Sequence, residues 1–175
     1  GDIRMMVETD RELHLAMILL SGRGAIFLGQ NVAYDGNVVY RHMSGIPDEQ
    51  RIELPVCEEL QMGIGIGLAL QGFLPVLVYP RMDFLLRAMD QLVNHLDKME
   101  AMSRGEWKPK VIIRTRVGKR SPLDAGPQHT QDHTEALKRM LANVAVLKIE
   151  SADDIMPTYQ AASRSERSVL VVEAL

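Results

Sequence analysis

Two adjacent carboxylates, Glu58 and Glu59, stand directly before an apolar segment that carries Gly63, Gly65 and Gly67. Glu58 follows a short predicted strand, so we expect it at the carboxyl end of that strand, where ligands bind in open α/β sheets. A carboxyl group held there among apolar side chains can exchange protons near neutral pH. The alternative is that both acids only stabilise a helix start, where the helix dipole favours negative charge.

The three glycines lie inside a segment of helical length. Each costs up to about 1 kcal/mol relative to alanine in a helix interior. Close packing would compensate this cost, either against the sheet of the same chain or against a second subunit. The segment does not match a dinucleotide-binding loop, because the glycines lack the required third spacing and do not precede a helix start.

Phe84, His129 and Cys57 are further candidates for chemistry. Phe84 begins a predicted helix, where it is either a core residue or a ring available for stacking. His129 lies in a loop bounded by Gly and Pro, and such loops often carry functional residues. We expect the other four histidines on the surface, and Cys57 as a small buried residue in preference to a reactive thiol.

Length and composition favour one globular domain. The chain has 175 residues, 46% of them hydrophobic, and a net charge of −3. This balance gives no indication of nucleic-acid or membrane binding. The single cysteine and the lack of a signal-peptide pattern are typical of a reducing compartment, and we expect a cytoplasmic protein.

Helical and strand patterns alternate along the chain. This order predicts an α/β fold, a three-layer α/β/α sandwich with a mostly parallel sheet. The continuous apolar run 74–79 is typical of a strand buried on both faces. The predicted helices are 9–22, 58–71, 82–103, 131–142 and 152–165, and the predicted strands are 25–33, 51–56, 74–79, 109–117, 143–150 and 168–175.

Several motifs occur in the order found in one known family. They are Pro55-Val56-Cys57-Glu58, Gly72-Phe73-Leu74-Pro75, Phe84, the segment Ala88 to Asn94, Arg114 with Gly118, and Gln128-His129-Thr130-Gln131. Together they resemble the transketolase-like pyrimidine-binding domain of thiamine-diphosphate enzymes, most closely the beta chain of 2-oxoacid dehydrogenase first components of the pyruvate, branched-chain and acetoin types.

The resemblance implies a cofactor, thiamine diphosphate, bound between this domain and a partner chain that holds the diphosphate and magnesium. Glu58 would share a proton with a ring nitrogen of the aminopyrimidine. Phe84 would stack on that ring, and Pro80 would line the cofactor site. His129 would face the substrate and assist in proton transfer. No metal ligand is expected on this chain.

The same resemblance implies a subunit that acts on a 2-oxo acid, together with an alpha-like diphosphate-binding subunit, and that is inactive alone. We expect a homodimer or heterotetramer formed through the helix of Gly63 and Gly67. We also expect residues 1–175 to form a single domain, without the C-terminal domain of the family.

The sequence also departs from the family. Gln30 and Asn31 replace acids that the family carries after its first strand, and Pro80 and Arg81 replace other residues before Phe84. The departures leave two alternatives open. One is a non-catalytic paralogue that keeps the fold for assembly or regulation, and the other is a transketolase- or decarboxylase-type subunit with another substrate.

Overall fold

The computed structural model describes residues 3–121 and 124–175, and a six-stranded sheet forms its centre. The strand order is β2-β1-β3-β4-β6-β5, and every described pairing is parallel. The predicted α/β class and parallel sheet are therefore confirmed. The strands are β1 Ala25–Gly29, β2 Arg51–Glu53, β3 Leu74–Tyr79, β4 Ile112–Arg116, β5 Ala145–Ile149 and β6 Val169–Glu173.

Helices cover both faces of the sheet, as the run of buried apolar residues in β3 requires. Successive strand side chains point to opposite faces, so Val76 and Val78 join one core while Leu77 and Tyr79 join the other. The helices are α1 Ile3–Gly22, α2 Val38–His42, α3 Glu58–Leu70, α4 Met82–Leu85, α5 Met99–Met102, α6 Thr134–Met140 and α7 Ala152–Arg164.

The two cores define the layers. Helices α1 and α7 pack on each other over one face, and α3 with the segment 82–102 covers the other. No helix within 3–121 and 124–175 combines the length and apolar character needed to cross a bilayer.

Helix α3 ends at a glycine in the left-handed conformation, as its sequence predicts. Gly72 has φ +88°, and its N–H donates to the carbonyl of Ala69 while the N–H of Phe73 donates to that of Leu68. These two bonds form a Schellman motif, which satisfies carbonyls that the helix end would leave unpaired. The helix therefore stops where β3 must begin.

The predicted continuous helix over 82–103 is wrong. After α4, a 3₁₀ turn spans Leu86–Ala88 and a π-helical stretch spans Asp90–Leu96, before α5 begins. The buried carboxylate of Asp97 accepts hydrogen bonds from the main-chain N–H groups of residues 142–144. The wider π turn brings Asp97 inward toward these donors while Leu92 and Leu96 stay in the core.

The strand order places a reversal between β1 and β3. The chain passes from β1 to β2 on one side, then returns to β3 and β4 on the other. In open α/β sheets, ligands bind outside the carboxyl ends of the strands at such a point. The loops that follow β1 and β3 are therefore the first places to examine for a site.

Candidate active site

Glu58 is the first residue of α3 and is only 9% exposed. The Tyr79 hydroxyl donates to the main-chain oxygen of Glu58 at 3.0 Å, which ties this helix start to the end of β3. In the described part of the chain, no hydrogen bond reaches the carboxylate of Glu58. The largely buried Glu58 residue therefore has a carboxylate that is free to bind another group.

Tyr79 is held in its protonated form. Its side chain is buried, and burial, reinforced by the nearby Glu58 charge, raises the pKa of Tyr79 above its usual range. A protonated hydroxyl remains a donor to the Glu58 main chain at all physiological pH values. Tyr79 therefore acts as a structural link between the start of α3 and the end of β3.

A cavity of about 190 Å³ opens beside Tyr79, at the carboxyl ends of β3, β4 and β6. It contains three residues predicted to bind cofactor or substrate, namely Pro80, Phe84 and His129. Glu58 does not line it and is connected to it through Tyr79. We call this cavity the basic pocket; its lining is Asn37, Val38, Val39, Val78, Tyr79, Pro80, Arg81, Phe84, Arg114, Thr115, Arg116, His129 and Glu173.

Phe84 and His129 contact each other inside the basic pocket. Their ring centroids lie 5.3 Å apart with an interplanar angle of 86°, an edge-to-face arrangement. His129 is placed there by Gly118, since a Cβ on Gly118 would lie 1.9 Å from the carbonyl oxygen of His129. This close approach of residues 118 and 129 requires that position 118 has no side chain.

Arg114 and Glu173 form a buried ion pair behind the pocket. The Nε of Arg114 donates to Glu173 Oε1 at 2.7 Å, and the Tyr159 hydroxyl donates to the same oxygen at 2.7 Å. Burial alone would lower the pKa of Arg114, but the Glu173 carboxylate raises it above its ordinary value. Arg114 is therefore a fixed cation.

His42 is buried against Arg114, so the predicted surface position of this histidine is wrong. Arg114 Nη2 lies 2.8 Å from His42 Nδ1, and arginine can only donate, so Nδ1 carries no proton. The opposite nitrogen, Nε2, then donates to Asp10 at 3.3 Å. Burial and the charges of Arg114 and Arg116 lower the pKa of His42 to about 2, which leaves it neutral.

Three arginines, Arg81, Arg114 and Arg116, line the basic pocket. Sequence reasoning did not assign any of them to a site. In the sequence, Arg81 departs from the family and Arg114 matches it. Neither feature predicts that the two residues line one cavity together with Arg116. Their meeting depends on the pairing of β3 with β4, which aligns Val78 with Arg114.

The structure also shows what two departures from the family do. The Gln30 side chain donates to the carbonyl of Pro55 at 3.1 Å, so it ties the end of β1 to the segment before α3. Asn31 has φ +59° and its N–H donates to the Glu53 carboxylate at 2.7 Å. Cys57 is exposed, so the expectation of a buried residue there is wrong.

Fold and pocket together define a parallel α/β protein with its candidate site at the carboxyl edge of the sheet. Residues 8–174 match the family described as "Transketolase, pyrimidine binding domain". The match spans nearly the whole chain, and the protein therefore belongs to this family, as the sequence motifs predicted.

Curated relatives agree with this assignment. The chain is 27% identical over 170 residues to "Pyruvate dehydrogenase E1 component subunit beta-3, chloroplastic" of Arabidopsis thaliana, covering 95% of this chain and 38% of the relative. It is 29% identical over 151 residues to "3-methyl-2-oxobutanoate dehydrogenase subunit beta" of Mycobacterium tuberculosis, covering 84% of this chain and 41% of the relative. The chain thus spans about two fifths of the length of these relatives.

A solved structure shares the fold. The chain "Split gene transketolase, inactive beta4 tetramer" superposes with a TM-score of 0.69 at 19% identity, covering 93% of this chain and 50% of that chain. Similarity at this level of identity establishes the architecture, which agrees with the α/β sandwich described above.

Proposed function

We propose that this chain is the pyrimidine-binding, beta-like component of a thiamine-diphosphate-dependent enzyme that acts on a 2-oxo acid. One observation carries the proposal: in a member of this family, Glu58 is only 9% exposed at the start of α3, and its carboxylate has no hydrogen-bond partner among the described residues. The relatives named for pyruvate and 3-methyl-2-oxobutanoate support a 2-oxo acid as the substrate class.

The residues present fit the aminopyrimidine end of the cofactor. We assign Glu58 to a ring nitrogen, Phe84 to stacking on the ring, and Pro80 to the wall beside it. When bound, thiamine diphosphate supplies the carbon nucleophile that attacks the substrate carbonyl and the electron sink for loss of CO₂.

This chain contributes proton transfer and orientation. Glu58 holds or releases a proton at its carboxylate. His129, in contact with Phe84, offers a second group for proton transfer near the substrate. We assign the diphosphate and magnesium to a partner subunit, so the chain alone is expected to be inactive.

We assign subunit contact to the exposed side of α3. A Cβ on Gly67 would meet nothing within 4 Å, and one on Gly63 would meet only Gln91 Oε1 at 3.9 Å. By contrast, Gly65 faces Leu77 of the sheet in the same chain. We therefore assign different roles to these glycines. Gly65 allows α3 to pack on the sheet of the same chain. Gly63 and Gly67 leave room for a second subunit, in a homodimer or a heterotetramer.

The test is a Glu58→Gln variant in a complex reconstituted with a diphosphate-binding partner. General acid–base catalysis contributes about 10²–10⁴-fold, so turnover of the 2-oxo acid should fall by at least about 100-fold. Glu59→Gln is the matched control, because Glu59 lies in the same helical turn but is exposed. Full activity of Glu58→Gln would refute the assigned role.

A non-catalytic paralogue is the second candidate. Gln30 and Asn31 favour it, because they replace acids of the family and make hydrogen bonds that hold loops together. Calorimetry of the assembled complex with thiamine diphosphate separates the candidates. A catalytic subunit binds the cofactor saturably and requires it for turnover, whereas a paralogue kept for assembly gives no heat of binding and no turnover.

A further inference from the structure

The basic pocket carries more positive charge than its neighbours neutralise. Arg114 is paired with Glu173, but Arg116 has no ion pair within residues 3–121 and 124–175. Burial, together with the charge of Arg116, lowers the pKa of Arg81. Arg81 and Arg116 thus repel each other at the mouth of one cavity, and such an arrangement is relieved by a bound anion.

Donor groups in the pocket also lack acceptors. Nη1 of Arg114 and Nε of Arg81 are buried, and neither has a hydrogen-bond partner among the described residues. The Arg114 side chain is only 4% exposed, so its free donor cannot turn toward bulk water. Most buried hydrogen-bond donors in proteins have an acceptor. A buried donor without one, on a residue that lines a cavity, therefore indicates a missing acceptor.

Nearby groups do not supply that acceptor. Glu173 already accepts from Arg114 and Tyr159, and His42 accepts from Arg114 Nη2. Asp83 lies near Arg81; its Oδ1 accepts from Gln131, and its Oδ2 is buried without a hydrogen-bond partner among the described residues. None of these groups accepts a hydrogen bond from Arg114 Nη1 or Arg81 Nε.

We infer that the basic pocket binds a small oxyanion, the carboxylate or phosphate group of the substrate, with Arg81 and Arg116 as its ion pairs and Arg114 Nη1 as a buried donor. Guanidinium groups bind such oxyanions through paired, charge-assisted hydrogen bonds. The identity of the ligand as a substrate rests on the proposed function, whereas oxyanion binding itself does not.

The pocket suits an anionic group on a small organic molecule. Its volume of about 190 Å³ is several times the roughly 30 Å³ that one water occupies in the liquid. Val38 and Phe84 add apolar side chains to the lining, and His129 contacts Phe84. An anionic group held by the arginines would therefore orient the rest of the molecule along the Phe84 side of the cavity.

The experiment titrates the isotopically labelled chain, without cofactor or partner, with sodium acetate and separately with sodium phosphate. Sodium chloride at matched ionic strength is the reference. The signals followed are the amide groups of residues 114–116 and the Nε–H groups of Arg81 and Arg114. Variants Arg81→Gln and Arg116→Gln are compared with Arg139→Gln, which removes the same charge from the exposed end of α6.

Saturable shifts with acetate or phosphate, but not with chloride, support the inference, and the tighter of the two identifies the preferred oxyanion. Arg81→Gln and Arg116→Gln should each weaken binding by about tenfold, since each removes a charge-assisted contact, while Arg139→Gln leaves it unchanged. Shifts that do not saturate, or that are equal in all three variants, overturn the inference.

Failure of this inference and failure of the proposed function are distinguishable. If the complex binds thiamine diphosphate but the chain binds no oxyanion, the proposed function stands and the anion site is refuted. If the chain binds oxyanions saturably but its complex does not bind thiamine diphosphate, the anion site stands and the proposed function is refuted.

Discussion

His42 and Arg114 share a hydrogen bond in the protein interior, and this contact determines the charge of the histidine. Arginine can only donate, so the neutral imidazole is the form that fits. A protonated His42 would place two cations 2.8 Å apart where both are nearly inaccessible to water. The protein must therefore keep His42 neutral to remain folded.

Stability should fall as the pH decreases below about 6.5. The unfolded chain protonates His42 near its ordinary pKa of 6.5, whereas the folded chain does so only near pH 2. The lowered pKa therefore contributes stability above pH 6.5 that is lost progressively on acidification. Between pH 6.5 and 4.5 the free energy of unfolding should decrease by about 2.3 kcal/mol. Urea unfolding at several pH values measures this change.

The control for this prediction is His42→Gln, which keeps an acceptor for Arg114 but does not titrate. The lowered pKa values of Asp97 and Asp132 act only near and below their ordinary value of 3.8, so the interval from pH 6.5 to 5 reports on His42. A His42→Gln variant with the same pH dependence as the unmodified chain would contradict the assignment.

At the level of single elements, α3 gives a matched pair of substitutions two residues apart. A Cβ on Gly65 would lie 2.6–3.0 Å from side-chain atoms of the fully buried Leu77, whereas one on Gly67 meets nothing within 4 Å. Gly65→Ala should lower the free energy of unfolding by about 1–3 kcal/mol through overpacking. Gly67→Ala should raise it by up to about 1 kcal/mol, because alanine is the better helix former.

Denaturant unfolding of the chain alone measures both effects. Equal changes in the two variants would mean that α3 does not pack on β3 as described. Circular dichroism at matched concentration confirms that each variant retains its helices, so that the comparison reports on packing.

The elements also differ in how far sequence could predict them. Strand β3 has its predicted bounds, because an apolar run ending at Pro80 and following Gly72 leaves little freedom. The segment 82–103 was predicted as one helix because its apolar face is the buried one. Hydrophobic spacing does not distinguish an α turn from a wider π turn. The interruption depends on Asp97 and its donors some 45 residues later, which no local pattern reveals.

At the scale of the whole molecule, assembly should depend on Gly67. If a second subunit packs on α3, Gly67→Leu will fill the space that the subunit needs. Overpacking at an interface costs about 1–3 kcal/mol, so the complex should weaken by about 5- to 150-fold. Gly22→Leu is the control, since a Cβ there also meets nothing within 4 Å. Light scattering and titration with the partner measure assembly, and an unchanged complex with Gly67→Leu would place the interface elsewhere.

Sequence motifs predicted Pro80, Phe84 and His129 as site residues, and the fold brings these three into one cavity. Such motifs could not predict the hydrogen bonds that Arg114 makes with His42 and Glu173. His42 lies on α2, 72 positions from Arg114 along the chain. Glu173 lies at the end of β6, next to the strand that carries Arg114. Charges that meet only through the order of strands in a sheet cannot be predicted from spacing along the chain.

Cys57 gives experimental access to the start of α3. It is the only cysteine in the sequence, it is exposed, and it immediately precedes Glu58. A maleimide dye would therefore attach at a single position, one residue from the proposed proton-transfer group, without any engineered thiol. Protection of that thiol from alkylation on mixing with a candidate subunit would report, in real time, whether the subunit covers the start of α3.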